Sequence, residues 1–263
     1  MLDLVFPDIC LFCESAGSQE NICHECLKKI AYIRGRSMCM KCGVPFESMA
    51  KDETEEYLVD NLLTARHEEH HPAAESYKMH LSSIPEHLCG RCILGEFYFE
   101  RARSIAFYDG LLKEILHKFK YESKLSLGKI LSSILIDNFP EDVDIPELVI
   151  PVPLYIDRLR KREYNQSVIL GERLAKHLRI PSDPFVLKRI RDTKPQFEIK
   201  NDAEKRKNVK GAFTIERVER IKGKALLLID DIFTSGSTIN ECARVLLKGG
   251  ASCVQVLTLA RAV

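Results

Sequence analysis

Tryptophan is absent from the 263-residue chain, so any stacking of ligand rings falls to Phe and Tyr. No apolar run approaches the ~18 residues that a membrane span needs, which predicts no integral membrane segment. Net charge is nearly missing as well: 39 Lys+Arg face 38 Asp+Glu. That balance excludes a globally basic or acidic chain and leaves nucleic-acid contact to a local patch. Met1 to Pro7 offer no basic n-region before Cys10, which argues against a secretory signal. These absences predict a cytoplasmic protein with room for one large domain and a small one.

Cysteine is what the chain has in excess. A reducing compartment keeps thiols free, and thiolates are soft metal ligands, so ten cysteines point to metal before disulfides. Eight of them form four Cys-x-x-Cys knuckles: Cys10/Cys13, Cys23/Cys26, Cys39/Cys42 and Cys89/Cys92. Each knuckle can place two sulfurs about 2.3 Å from one tetrahedral ion, and two knuckles close a four-thiolate site. Four knuckles therefore predict two structural zinc sites, with three pairings open. A redox reading of one knuckle competes weakly, because four in series outside a βαβ unit read as a metal framework. Cys242 and Cys253 sit in apolar periodic segments and read as buried structural thiols. The first ~100 residues thus form a zinc-stapled module, in which metal substitutes for core.

Residues 47–88 interrupt that module with ten acidic residues against Lys51, Arg66 and Lys78, and they hold five of the eight histidines. His67 and His71 share a helix face at i, i+4 and could ligate a metal. A solvated acidic insertion is the simpler reading.

From about Arg101 the pattern alternates between strand and helix. Arg103 to Tyr108 reads as a strand and Leu111 to Glu122 as an amphipathic helix, followed by a helix from about Ser126 to Asn138. Glu147 to Ile150 is a short apolar strand stopped by Pro151-Val152-Pro153. A basic turn, Arg158 to Arg162, then leads to a helix ending near Leu178. Lys224 to Asp230 is a continuous apolar run that suits a parallel strand buried on both faces. Thr238 to Lys248 as helix and Cys253 to Ala260 as strand close a right-handed βαβ unit. The fold class is α/β with a mostly parallel sheet.

The most informative stretch follows the Lys224 strand. Asp230 and Asp231 stand at its carboxyl end, where open α/β sheets bind ligands. Thr234-Ser235-Gly236-Ser237-Thr238 then turns into a helix, and turn amides with a positive helix N-terminus make a cradle for a phosphate. The two carboxylates can accept hydrogen bonds from a vicinal diol. Phosphate and diol at this separation describe a 5-phosphoribosyl group. Against this, the aspartates could be a plain strand-end turn and Thr238 a simple cap, although neither accounts for the whole string.

Asp230-Asp231-x-x-Thr234-Ser235-Gly236-Ser237-Thr238 resembles the phosphoribosyl-diphosphate (PRPP) loop of type I phosphoribosyltransferases. The whole chain outside the acidic insertion resembles the ComF family of competence proteins, which join zinc knuckles to an amidophosphoribosyltransferase-like domain. The resemblance runs through Phe107-Tyr-Asp-Gly110, Lys118-Phe-Lys120-Tyr121, Val149-Ile-Pro151-Val-Pro153, Arg158 to Arg162 with Asn165-Gln166, Thr193-x-x-Gln196, Arg206-x-x-Asn208-Val209-x-Gly211-Ala212-Phe213 and Thr258-Leu-Ala-Arg261. It implies a phosphoribosyltransferase-like domain over 101–263 beside a zinc module over 1–100.

The resemblance also implies roles. Asp230 and Asp231 would orient the ribose, and Thr234 to Thr238 would hold the 5-phosphate. Pro151, Val152 and Pro153 would form the diphosphate loop. Arg158, Lys161 and Arg162 would neutralise the diphosphate, with Arg162 acting on the leaving group, since guanidinium forks match phosphate oxygens. A basic run is also a common solvated face, and Asn165 could cap the next helix. Lys118 and Lys120 lie two apart, so at most one points into the site. Gln196, Arg206 and Asn208 lie in a polar stretch, Lys194 to Lys210, that resembles a mobile hood. The implied chemistry displaces diphosphate from PRPP, with magnesium held mostly by substrate and water.

Besides the acidic insertion between knuckles, two departures from the family stand out. Ser235 replaces a more usual threonine and keeps the hydroxyl. Glu163 stands where a glycine is usual, beside the arginine cluster.

The function expected is PRPP binding with magnesium, in DNA uptake and competence or in nucleotide metabolism. The alternative is a catalytically weak PRPP- or nucleotide-sensing factor, or one that binds single-stranded DNA and docks competence or helicase proteins. Residues 111–210 hold 21 basic against 15 acidic residues, which permits phosphate-backbone contact. No acceptor base is legible.

Overall fold

The computed structural model describes residues 9–16, 22–46, 87–122, 124–195 and 198–263. Gln196 and nearly all of the acidic insertion, including His67 and His71, lie outside them. The chain separates into two compact units, one of residues 1–34 with 98–263 and one of residues 35–97.

The larger unit is built on a parallel four-stranded sheet. Its elements in chain order are β1 (Arg101–Phe107), α1 (Gly110–Tyr121), α2 (Leu127–Asp137), β2 (Leu148–Pro151), α3 (Ile156–Arg162), α4 (Gln166–Leu178), β3 (Leu187–Arg189), α5 (Asp202–Val209), β4 (Phe213–Ile215), β5 (Ala225–Phe233), α6 (Ser237–Lys248) and β6 (Cys253–Arg261). The sheet order is β1-β6-β5-β2, and every pairing is parallel. The strands sit where alternation predicts, and β5 is the continuous apolar run: Leu226 to Ile229 are fully buried. Side-chain alternation sends Leu227 and Ile229 into a core shared with Ile115 and Phe119 of α1, Leu131 of α2 and Leu170 of α4. On the other face α6 packs against β5 and β6, burying Ile239, Cys242 and Leu246. A parallel sheet covered on both faces explains why its strands read as unbroken hydrophobic runs.

The first two knuckles belong to this larger unit. Cys10, Ile22, Cys26 and Ile30 join the same core as Ile105 and Leu112. Tyr32 bridges antiparallel to Ala106, with Ile33 N donating to Ile105 O and Phe107 N to Ala31 O, both at 2.9 Å. Residues 1–34 thus pack with the sheet, and the two compact units meet in the chain at 34/35 and at 97/98.

Two segments differ in form from their sequence reading. The basic stretch expected as a turn begins as helix α3, which ends at Glu163 in the left-handed region, φ 66°. The polar stretch 194–210 contains α5, whose first turn is capped by Asn201 accepting from Ala203 N at 2.7 Å. A short antiparallel pair, β3 with β4, joins Arg189 opposite Phe213.

Candidate functional site

The carboxyl ends of β5 and β2 open onto one cavity of about 530 Å³. Its floor comes from β5 and the turn after it. Gly236 takes φ 76°, a conformation that glycine adopts without a Cβ clash. The turn delivers the first amides of α6 to the cavity, and these have no partner within their own helix. Gly236, Ser237 and Thr238 line the cavity with Thr234. Ser235 is buried beneath them, its hydroxyl 2.9 Å from that of Ser237.

The acidic pair is already engaged. Asp230 Oδ1 accepts from Ser167 Oγ at 2.9 Å and from the Asp231 backbone N–H at 2.9 Å. Asp231 Oδ2 lies 2.7 Å from Lys120 Nζ, with both side chains largely buried. Burial, then the neighbouring Asp231, pushes the Asp230 carboxyl up to about 7, while Lys120 and the two hydrogen bonds pull the other way. Of Lys118 and Lys120, Lys120 is thus the one that enters the site. Lys118 turns outward to Glu122 at 3.5 Å.

The β2 side supplies Val152, Pro153 and Leu154 to the cavity. Pro151 is itself buried at the end of β2 and faces Gly171, where an added Cβ would meet the proline ring at 3.1 Å. It therefore shapes the loop without lining the cavity. Asn165 does the same by bracing: its Nδ2 donates to Val152 O at 2.9 Å, and its Oδ1 caps α4 by accepting from Ser167 N at 3.0 Å. Arg158, Lys161 and Arg162 all line the cavity. Arg162 lies over the Tyr121 ring at 5.0 Å. Arg158 donates to the Thr193 carbonyl and lies 3.5 Å from Asp192.

Three lining cations complete the wall: Lys120, Lys194 and Arg189. Arg189 is not legible in the sequence as a site residue, because its strand is only three residues long. Arg206 and Asn208 are not among the lining residues; the Asn208 side chain bonds Lys194 through its backbone N–H and carbonyl. Among the described residues the cavity thus gathers six cationic side chains around two carboxylates, a balance that suits a polyanion.

The knuckles pair consecutively. Cys10, Cys13, Cys23 and Cys26 form one cluster, and Cys39, Cys42, Cys89 and Cys92 the other; in each, all four sulfurs lie within 4.8 Å of one another. Sulfur separations of 3.8, 3.4 and 3.6 Å for Cys10–Cys26, Cys13–Cys23 and Cys42–Cys89 match the roughly 3.8 Å edge of a tetrahedron with 2.3 Å arms. The two clusters repeat one design. The third cysteine's N–H donates to the first cysteine's Sγ at 3.4 Å in both, and that third cysteine opens a one-turn helix. Four thiolates in closed array are the donor set of structural zinc, and these are two four-cysteine zinc-binding sites.

Comparison with known proteins agrees with this geometry. A double zinc ribbon domain model matches residues 1–58, and a phosphoribosyl transferase domain model matches residues 165–262. Competence protein F of Haemophilus influenzae is 31% identical over 180 residues, covering 66% of this chain and 78% of that protein. The DNA utilization protein YhgH of Salmonella typhimurium is 28% identical over 266 residues, covering 98% and 99%. Competence protein ComFC of Bacillus subtilis is 25% identical over 273 residues, covering 96% and 95%. The larger unit has the type I phosphoribosyltransferase fold.

Proposed function

Because the chain belongs to the ComF family of competence proteins, we propose that its cavity binds PRPP as a magnesium complex and serves DNA uptake or utilization as its relatives' names describe. The observation that carries this reading is one cavity holding both the acidic pair at the end of β5 and the glycine-turned start of α6, ringed by six cations.

In this reading the α6 amides and the hydroxyls of Thr234, Ser237 and Thr238 take the 5-phosphate. Asp230 and Asp231 accept the ribose hydroxyls, exchanging Ser167 and Lys120 for the sugar. Val152 and Pro153 give the diphosphate a backbone wall, and Arg158, Lys161 and Arg162 neutralise it as it leaves. The two carboxylates that line the cavity among the described residues are both tied to donors, which suits magnesium gathered by ligand oxygens and water more than a protein cage. When bound, magnesium supplies charge neutralisation at the diphosphate.

A second reading, a PRPP-sensing module without efficient turnover, draws on the Lys120–Asp231 pair. In that pair the lysine competes with a ribose hydroxyl for Asp231 Oδ2. Calorimetric binding of PRPP with magnesium, run beside an assay for released diphosphate over a panel of acceptor bases and amines, separates the two. Binding with release supports transfer, binding without release supports sensing, and no binding by zinc-replete protein contradicts both.

A further inference from the structure

We propose that Cys13 and Cys23 are an oxidation site: a hydroperoxide converts this outer pair of the first zinc cluster to a disulfide, releases the metal and loosens the strap that residues 31–33 lay along β1.

The two clusters share one design but not one setting. In the second, Cys39, Cys42, Cys89 and Cys92 are each at most 6% exposed. The first is split. Cys10 and Cys26 are buried in the core with Ile22, Ile30, Ile105 and Leu112, whereas Cys13 is exposed and Cys23 half-buried. The outer two also face each other, one from each knuckle, with their Sγ atoms 3.4 Å apart. The Ser15 hydroxyl, 3.1 Å from Cys13 Sγ, is itself exposed and bonds this sulfur without burying it. Metal ligation requires deprotonated thiolates. Susceptibility to oxidation follows thiolate character and exposure, and a neighbouring cysteine resolves the first product. Cys13 meets the first two conditions and Cys23 supplies the third. The second cluster holds the same thiolates but shields them.

The chemistry balances with one hydrogen peroxide. Cys13 Sγ attacks a peroxide oxygen; the O–O bond breaks, hydroxide leaves, and Cys13 becomes a sulfenic acid. Cys23 Sγ then attacks the Cys13 sulfur; the S–O bond breaks, a second hydroxide leaves, and the S–S bond forms. Two electrons pass from the sulfurs to the peroxide, and two solvent protons turn the hydroxides into water. The site is left with Cys10 and Cys26, half of the four ligands that a closed zinc site uses. This inner pair stays in the core as thiols, which pack as small apolar groups, so a thiol reductant with zinc reverses the step.

The consequence reaches β1. Cys23 caps the one-turn helix His24–Leu27, which contains Cys26. A few residues on, Ile33 N donates to Ile105 O, and Phe107 N donates to Ala31 O. The metal thus anchors one end of a strap on β1. None of the cluster's cysteines lines the cavity, but Tyr108, the residue after Phe107, does.

The test treats full-length, zinc-replete protein with hydrogen peroxide. It follows zinc release with a chromophoric chelator, thiol loss by mass spectrometry of alkylated peptides, and amide hydrogen exchange. One of the two zinc ions should be released as two of the eight ligand cysteines are lost, with the disulfide mapping to Cys13–Cys23 and the second cluster still reduced. Exchange of the Ile33 and Phe107 amides should speed up, and dithiothreitol with zinc should restore both metal and protection. Cys13→His leaves a donor set of three cysteines and one histidine, which zinc accepts. It should hold both ions under the peroxide dose that strips one from wild type. Without oxidant, N-ethylmaleimide should alkylate Cys13 of wild type before any other ligand cysteine, a readout that stands if Cys13→His does not fold. No response to peroxide, release of both ions together, a disulfide elsewhere in the clusters, another ligand cysteine alkylated first, or undiminished release from folded, zinc-loaded Cys13→His would overturn the assignment. Unchanged exchange at Ile33 and Phe107 after release would overturn the link to β1.

Discussion

Lys120 Nζ sits 2.7 Å from Asp231 Oδ2, so a lysine from α1 supplies the counter-charge for an acidic pair at the end of β5. Asp230, hydrogen-bonded to the Asp231 N–H, is pushed up to about 7 by burial and by its neighbour, and Lys120 limits that rise. An ionised Asp230 is the better acceptor for a ribose hydroxyl, so PRPP affinity should strengthen as pH rises through about 7. Removing the cation in Lys120→Met should move that midpoint upward by about one unit, the scale of a lost close opposite charge. Calorimetric titrations from about pH 6 to about 9 read both curves. An unmoved midpoint in a folded variant would contradict the coupling.

Glu163 offers a test confined to the backbone. It ends α3 at φ 66°, a region that costs a non-glycine residue roughly 1–2 kcal/mol, part of which glycine returns through the entropy of the unfolded chain. Glu163→Gly should therefore stabilise the protein by up to about 1 kcal/mol. A thermal melt measures it, and a lower melting temperature would show that the Glu163 side chain contributes more than its strain costs.

The zinc clusters should differ in what they hold together. Cys10 and Cys26 belong to the core under the sheet, whereas Cys39, Cys42, Cys89 and Cys92 lie in the unit of residues 35–97. Metal analysis should return two zinc ions per wild-type chain and one for either single-cluster variant. Cys26→Ser should lower the main unfolding transition by more than about 3 kcal/mol, as loss of a structural metal does. Cys39→Ser should change it far less. Equal losses from the two variants would contradict the division.

The sheet is legible in the sequence because its strands are buried on both faces and read as apolar runs; Leu226 to Ile229 carry that signal without interruption. The acidic pair and the Thr234–Thr238 string are legible because a strand end, a glycine turn and a helix start follow one another in the chain. Arg189 is not, since its place in the cavity wall depends on Thr193 and Phe213 meeting it in space. The knuckle pairing is equally hidden, because Cys42 and Cys89 are 47 residues apart and only the fold brings their sulfurs to 3.6 Å. Helix α5 escapes for another reason: Val209 is its one buried residue, so its polar face repeats all round and no periodicity marks it. In the sequence, Glu163 in place of the usual glycine reads as a question of charge, and the structure shows that it is a left-handed backbone position.

The central claim is that Asp230 and Asp231 complete a phosphoribosyl pocket. Its most direct test is calorimetric titration of PRPP with magnesium into zinc-replete wild type and into the Asp230→Asn, Asp231→Asn double variant. The account predicts saturable binding by wild type, weakened at least about a hundredfold in the double variant. Equal affinity in both proteins, or no binding to folded wild type, would contradict it.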